Sequence, residues 1–264
     1  MTTLQALILG IVQGVAEFLP ISSSGHLVLL QRVFGMEAPA LTFDIVVHIG
    51  SLLAIVLVFW SKIWALVKNP ICKMTGLLIV GTIPAVIAGF FLRDFIESYL
   101  RTGIWLAAAF TITGFLLLFA DKAKPGAKEE KDITYLDALV VGICQACALP
   151  PGISRSGTTI AGALGRGIKR TAAAEFSFML AIIAIAGAGL LELIQVLRGE
   201  VPPSGIGFTQ MAVGFVASFV VGYFSIRLLL RLIKACKLRY FSYYVWGLAA
   251  VILVDYLVVN RFFH

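Results

Sequence analysis

Charged residues are scarce in this sequence. They make up 13% of its 264 residues, whereas hydrophobic residues make up 60%. An ordinary soluble domain carries about 25% charged residues, so this composition excludes a soluble globular protein. Because a charge is costly inside an apolar membrane segment, the few charges that interrupt such segments become candidates for a functional role.

Cysteine and histidine are also rare. The four cysteines lie in or beside apolar segments, without the cysteine or histidine companions that a zinc site requires. We interpret them as small packing residues. The first residues lack the basic start and small-residue cleavage site of a removable signal peptide, and Glu17 interrupts the apolar run that would form its centre. We therefore expect this segment to belong to the mature protein.

Long apolar runs dominate what is present. Six are near the length of about 20 residues that a helix needs to cross a ~30 Å hydrocarbon core. They are Phe43–Trp60, Met74–Leu92, Ile104–Ala120, Phe178–Leu197, Met211–Leu230 and Tyr243–Val259. Two further apolar stretches, Leu4–Phe34 and Leu136–Leu164, are interrupted by proline, glycine, serine and charged residues. The sequence predicts an all-α polytopic membrane protein with six continuous transmembrane helices and two broken stretches.

The two broken stretches repeat each other. At a constant offset of 132 residues, Gly10–Leu27 aligns with Gly142–Thr159 without a gap. Each copy precedes three continuous spans, so the second copy enters the membrane inverted, an architecture found in many transporters. We expect a first repeat (residues 1–120), a cytoplasmic linker loop (121–135) and a second repeat (136–264), with two re-entrant hairpins that meet near the midplane. The alternative is that glycine and proline only kink ordinary spans.

Lysine and arginine are distributed unequally between the two sets of loops that this topology creates. Fourteen lie on one face and five, beginning with Arg32, lie on the other. The positive-inside rule places the larger group in the cytoplasm and both termini on the outer face of the plasma (inner) membrane. The net charge of +7 is therefore explained by membrane insertion, and we expect no nucleic-acid partner.

The broken stretches carry polar groups suited to phosphate. In the first, Gln13 and Glu17 lie four residues apart and share a helix face, and the hydroxyls of Ser22–Ser24 precede a helix start that can bind anions. The second has a similar hydroxyl-rich helix start with Arg155, whose planar fork matches phosphate oxygens. If the loops meet, these groups and His26 form a site for phosphoryl chemistry.

A hard cation such as Mg²⁺ or Ca²⁺ would suit this site, with Glu17 and the Gln13 carbonyl oxygen as ligands beside a diphosphate. A purely structural ion pair between Glu17 and Arg155 is the alternative. It would leave His26 and the serine cluster unexplained.

With these residues, the sequence resembles the undecaprenyl-diphosphate phosphatase family, also called the bacitracin-resistance proteins. The resemblance is carried by Gln13-x-x-x-Glu17 followed by Ser22–His26, and by Pro151–Thr159. It implies a metal-dependent membrane enzyme that removes the terminal phosphate of undecaprenyl diphosphate and recycles the lipid carrier for cell-wall glycans. It also implies a homodimer and a cleft on the outer side.

Carried over position by position, the resemblance implies catalytic roles for Glu17, Ser23, His26 and Arg155. It implies phosphate binding by a set of small residues in both loops: Ser22, Ser24, Gly25, Ser154, Ser156 and Thr159. Gln13 is a departure, because many family members have a second glutamate there. We therefore assign the acid–base and metal-binding roles to Glu17.

Several alternatives stay open. Ser23 is favoured as the nucleophile over His26. Asp44 and His48 could extend the site, although hydrogen bonds to a neighbouring helix are the favoured interpretation. Tyr244 is interpreted as a membrane-interface anchor. The main rival function is a secondary transporter or flippase for a phosphorylated lipid or anion, which would share the inverted repeat but would need no nucleophile.

Overall fold

The computed structural model describes residues 1–36, 40–100, 102–124, 126–199, 205–235 and 237–263, with the backbone alone at 93, 94, 97–99 and 192. Within these ranges the chain is helical, and the one β-type contact is an isolated bridge between Lys128 and Ile168. The α-helices are α1 Thr3–Ala16, α2 Ser23–Val33, α3 Leu41–Val58, α4 Trp60–Lys68, α5 Lys73–Tyr99, α6 Gly103–Lys122, α7 Tyr135–Cys147, α8 Arg155–Gly165, α9 Arg170–Leu197, α10 Phe208–Lys234 and α11 Arg239–Val254. A 3₁₀ turn (Glu130–Asp132) precedes α7 and a π turn (Asp255–Val259) follows α11.

Six of the described helical segments are long and apolar enough to cross a membrane. They lie in α3, α5, α6, α9, α10 and α11 with its π turn, so the predicted all-helical architecture with six spans is confirmed. The boundaries differ at the first span, which we expected to reach Trp60. There α3 ends at Val58, and α4 begins at Trp60 as a separate helix without a buried residue.

Both interrupted stretches are helix pairs separated by a short irregular segment. The first hairpin consists of α1, the break Glu17–Ser22 and α2; the second consists of α7, the break Ala148–Ser154 and α8. The helices of each pair pack on each other. Each second helix has a serine N-cap: the Ser22 hydroxyl accepts from the Gly25 backbone N–H at 3.4 Å, and the Ser154 hydroxyl accepts from that of Gly157 at 3.2 Å. The caps therefore sit at equivalent positions of the repeat.

Helices from the two halves of the chain pack across each other, α1 on α10 and α7 on α5. The crossings are tight because glycine lies at each. A Cβ atom added at Gly10 would stand 2.5 Å from the Gly214 carbonyl oxygen, and one at Gly142 would stand 2.4 Å from that of Gly81. Gly10 and Gly142 are equivalent in the repeat, so both copies use the same residue to bring backbones together.

At one end of the helix bundle, ion pairs between charged residues connect the loops. Asp137, in the first turn of α7 and outside the six spans, accepts from Lys128 and Arg166, each at 2.8 Å. Burial of Asp137 raises the pKa of its carboxyl, but hydrogen bonds from Lys128, the Thr134 backbone and Arg166 outweigh burial and hold the pKa well below its usual range. Lys62 of α4 contacts Glu130 and Glu175 nearby. Loops from both halves therefore share one charged end.

Candidate active site

A cavity of about 280 Å³ lies between the breaks of the two hairpins. Its polar lining comes from both hairpins and from α3, and comprises Glu17, Ser22, Ser23, Ser24, His48, Gln145, Ser154 and Arg155. Its apolar lining includes mostly small residues of α5 and α9, namely Ala85, Ala184, Ile185, Ala188 and Gly189. The cavity thus joins a charged, hydroxyl-rich surface to an apolar one.

The carboxylate of Glu17 is the centre of the polar lining. It is buried, yet it accepts from the Ser23 hydroxyl at 2.5 Å and from the Gln13 amide at 3.1 Å. The Arg155 guanidinium donates to its other oxygen, and the His48 Nε2 atom lies 3.7 Å away. This one carboxylate therefore brings a hydroxyl, a guanidinium and an imidazole together.

The direction of the Ser23 side chain follows from an unusual backbone at Ser22. Ser22 has φ 69° and ψ 97°, a region that non-glycine residues rarely adopt and that costs about 1–3 kcal/mol. The chain turns sharply there, and Ser23 becomes the first residue of α2. The hydroxyl is placed at a helix N-terminus, where the helix dipole and free N–H groups favour negative charge.

The second hairpin is held in place by α6. The Thr113 hydroxyl donates to the Gly152 carbonyl and accepts from the Ser154 backbone N–H, both at 3.0 Å, and the Trp105 indole donates to the Pro151 carbonyl at 3.1 Å. Gly152 adopts φ +93°, which favours glycine. These contacts fix the backbone immediately before Arg155, which begins α8 at the cavity.

The two hairpins touch at Gly25. A Cβ atom there would lie 2.8 Å from the Gly152 Cα and 2.7 Å from the Phe110 ring. Gly25, expected from the sequence to bind phosphate, lies outside the cavity lining and allows the close approach of the two breaks.

Both ring nitrogens of His26 have a hydrogen-bond partner. Its Nδ1 atom lies 2.7 Å from the Ser22 carbonyl oxygen and its Nε2 atom 2.8 Å from the Tyr244 hydroxyl. Since a carbonyl can only accept, Nδ1 carries the proton, and the Nε2 lone pair faces Tyr244. The ring stacks on Tyr244, packs edge-on against Phe110 and does not line the cavity.

The remaining predicted residues are divided between the cavity and its support. Ser22, Ser24 and Ser154 line the cavity with Glu17, Ser23 and Arg155, whereas three others support it from behind: Gln13, Ser156 and Thr159. Thr159 bonds to the Ser177 hydroxyl at 2.5 Å, and the Ser156 hydroxyl lies 3.3 Å from that of Ser154. The predicted convergence of Glu17 and Arg155 is present.

Two residues that the sequence analysis left without a site role, Tyr244 and Gln145, contact the site, and so does His48, one of the two residues that could extend it. His48 lines the cavity beside Glu17, while Asp44 accepts from Gln31 of α2 at 2.8 Å, the helix-to-helix hydrogen bond that we favoured. Tyr244, interpreted as an interface anchor, also bonds to His26. Gln145 lines the cavity, and its alignment with Gln13 was the one available signal.

The oxygen donors present suit a hard cation. No group of three histidine, cysteine, aspartate or glutamate side chains is gathered into a metal site among the described residues. However, Gln13 is fully buried and its Oε1 atom lacks a hydrogen-bond partner among the described residues. That amide oxygen and the Glu17 carboxylate are the kind of ligand that Mg²⁺ and Ca²⁺ take, usually together with water and substrate phosphates.

Comparison with known proteins identifies the relatives of this chain. Residues 6–251 match the family model described as bacitracin resistance protein BacA. The undecaprenyl-diphosphatase of Carboxydothermus hydrogenoformans is 45% identical over 254 residues, which cover 96% of this chain and 97% of that protein. Undecaprenyl-diphosphatase 3 of Bacillus cereus has the same identity and coverage. The undecaprenyl-diphosphatase of Methanosphaera stadtmanae is 39% identical over 274 residues, which cover 95% of this chain and 97% of that protein.

These matches confirm the resemblance that the two loop motifs carry. The family model spans nearly the whole chain, so the match is not confined to the two motifs. The chain is a multi-pass membrane protein that belongs to the BacA bacitracin-resistance family.

Proposed function

We propose that this protein is a membrane phosphatase that hydrolyses undecaprenyl (polyprenyl) diphosphate to the monophosphate and inorganic phosphate. The product is the lipid carrier for cell-wall glycans, and its regeneration confers resistance to bacitracin. One observation carries the proposal: at the cavity, the buried carboxylate of Glu17 accepts from both the Ser23 hydroxyl and the Arg155 guanidinium. The names of the relatives supply the substrate.

The cavity also suits an amphiphile. A diphosphate head would lie against the serines and Arg155, and the first prenyl units would lie against the small apolar residues of α5 and α9. Because the polar and apolar linings are continuous, the head group can reach Ser23 while the chain stays in an apolar environment.

In the proposed mechanism, the Ser23 Oγ atom attacks the terminal phosphorus and its proton passes to Glu17, to which it already donates. The bond between that phosphorus and the bridging oxygen breaks, and the lipid monophosphate leaves. Water then hydrolyses the phosphoserine and releases inorganic phosphate. Phosphate oxygens compete with Glu17 for Arg155, so substrate binding frees the carboxylate to accept the proton while Arg155 neutralises the developing charge.

In this mechanism, His26 is a positioning residue. Its Nδ1 proton holds the Ser22 carbonyl and thereby the turn that aims Ser23. The alternative nucleophile, His26 itself, would first have to break its contact with Tyr244.

A divalent cation, Mg²⁺ or Ca²⁺, would be held by Glu17 and the Gln13 Oε1 atom. When bound, it would neutralise charge on the diphosphate. Gln13 also donates to Glu17 and to Ser51, at 3.1 and 3.4 Å, which orients the carboxylate that the proposed site requires.

The topology we propose is an inverted repeat of residues 1–120 and 136–264, joined by a cytoplasmic linker at 121–135. With 14 and 11 residues, α1 and α2 are about 21 and 16 Å long, too short to cross a ~30 Å core singly. Re-entrant hairpins that meet inside the membrane fit these lengths. They also fit the equivalent glycine crossings of α1 on α10 and α7 on α5.

This topology orients the molecule in the plasma (inner) membrane. The charged end that joins Lys62, Lys128 and Arg166 faces the cytoplasm, and both termini and the cleft face outward. Cysteine accessibility at either end in intact cells tests the orientation. A homodimer stays a prediction of the family resemblance, which cross-linking in membranes tests.

Phosphate release by the purified protein from a long-chain prenyl diphosphate tests the function. We expect inorganic phosphate with Mg²⁺ or Ca²⁺, its loss in EDTA, and nearly complete loss in Ser23→Ala. Ser61→Ala, an exposed serine on α4, is the matched control. A well-folded protein that moves the lipid across vesicles without releasing phosphate would instead indicate the transporter or flippase.

A further inference from the structure

The amide of Gln145 is unused by the folded protein. The side chain is 2% exposed and lines the cavity, yet neither its Nε2 nor its Oε1 atom has a hydrogen-bond partner among the described residues. A buried amide left unpaired destabilises a protein. The wall of the cavity therefore contains a donor and an acceptor that no group of the described residues satisfies.

The repeat explains why this amide is free. Gln145 aligns with Gln13, whose amide N–H groups are occupied by Glu17 and Ser51. The residue four positions after Gln145, which corresponds to Glu17, is Leu149 and offers no acceptor. One copy of the glutamine thus orients the carboxylate, whereas the other lies at the cavity wall with its amide unpaired among the described residues.

The neighbours of Gln145 define the ligand. Arg155, the serine hydroxyls and the N-termini of α2 and α8 make this lining rich in donors, and a phosphate offers acceptors only. A second carboxylate at the position of Gln145 would be repelled by Glu17, whereas the neutral amide adds no charge to the cavity.

We infer that Gln145 is a substrate-binding residue: its Nε2 group donates to a non-bridging oxygen of the diphosphate, and its Oε1 atom accepts from a water that enters with the head group. This inference rests on the proposed function, since it takes the diphosphate as the ligand. It adds to the site a residue that belongs to neither loop motif.

Gln145→Met tests it, because methionine keeps the length and helix preference of glutamine but removes both polar atoms. We expect KM for farnesyl diphosphate to rise about tenfold or more, the change produced by losing a hydrogen bond to a charged group. The Kd for a farnesyl methylenediphosphonate, which cannot be hydrolysed, should rise by a similar factor in isothermal titration. The melting temperature without ligand should stay equal or increase, because two unpaired buried atoms are removed.

Two variants serve as comparisons. Gln13→Met removes an amide that is hydrogen-bonded in the fold, so it should lower both melting temperature and kcat. Cys147→Ala, at an exposed position on the same helix, should match wild type in every readout.

The outcomes separate the two hypotheses. If wild type neither binds the diphosphonate nor releases phosphate, the proposed function fails. If wild type does both and Gln145→Met binds the diphosphonate with unchanged Kd, only the role of Gln145 is overturned. A lower melting temperature of ligand-free Gln145→Met would also overturn it, because the amide would then have a structural partner.

Discussion

Ser23 and Arg155 occupy equivalent positions in the two copies of the repeat, 132 residues apart, and both donate to the carboxylate of Glu17. The two aligned breaks thus place these residues at two helix N-termini, and one position carries a hydroxyl where the other carries a guanidinium. The asymmetry between the copies distinguishes a group that can attack phosphorus from a group that can stabilise its charge.

The Glu17–Arg155 pair has a role beyond stability in this scheme. Removing Arg155 by Arg155→Met leaves a buried carboxylate unpaired, and we expect a loss of about 3 kcal/mol in unfolding free energy. The double variant Glu17→Gln, Arg155→Met should recover much of that stability without activity. Thermal unfolding in detergent and phosphate release measure both quantities. Recovery of turnover together with stability would reduce the pair to a structural clamp.

His26 and Tyr244 give a second prediction. If His26 holds the Ser22 carbonyl through Nδ1, asparagine can replace that donor, so His26→Asn should retain at least about tenfold more kcat than His26→Ala. Tyr244→Phe, which frees the Nε2 atom, should lower kcat modestly with KM unchanged. Equal and complete inactivity of the asparagine and alanine variants, both folded, would favour His26 as the nucleophile.

The glycine crossings predict a sharp positional effect on stability. In Gly142→Ala, the added Cβ would stand 2.4 Å from the Gly81 carbonyl oxygen, so α7 and α5 must separate at a cost of about 1–3 kcal/mol. Gly187→Ala, on α9 with no atom within 4 Å of the added Cβ, is the matched control and should be neutral or stabilising. Similar melting temperatures for the two variants would argue against the close crossing.

Asp137 predicts a pH dependence of stability. Because its pKa is lowered on folding, the stabilisation is complete above the unfolded value of about 3.9 and is lost as pH falls through the folded pKa. The melting-temperature difference between wild type and Asp137→Asn should therefore be constant at neutral pH and shrink below about pH 4. Asp132→Asn, at an exposed position, should show a smaller difference. A gap that persisted in acid would contradict the ion-pair explanation.

Much of this arrangement could be predicted from sequence because it is local or repeated. The lengths of the apolar runs predicted the six spans. The gapless alignment at an offset of 132 residues predicted both helix breaks and the convergence of Glu17 and Arg155. Such features need only composition, periodicity and one internal comparison.

The remaining contacts depend on partners that are distant in sequence. His26 meets Tyr244 across 218 residues, and Thr113 of α6 fixes the break before Arg155. His48 approaches Glu17 from a third helix. No spacing rule pairs these residues, because their contacts follow from how α3, α6 and α11 pack around the hairpins.

The packing of α1 on α10 also constrains biosynthesis. Within this sequence α1 is synthesised well before its main partner α10, so the interface that supports Glu17 cannot close until α10 has been inserted. A truncated or stalled chain would expose Gly10 and Gly14 of α1 to lipid and would carry no competent centre. Catalytic competence is therefore acquired late, and quality-control proteases would encounter the unfinished protein with α1 lacking its main partner, α10.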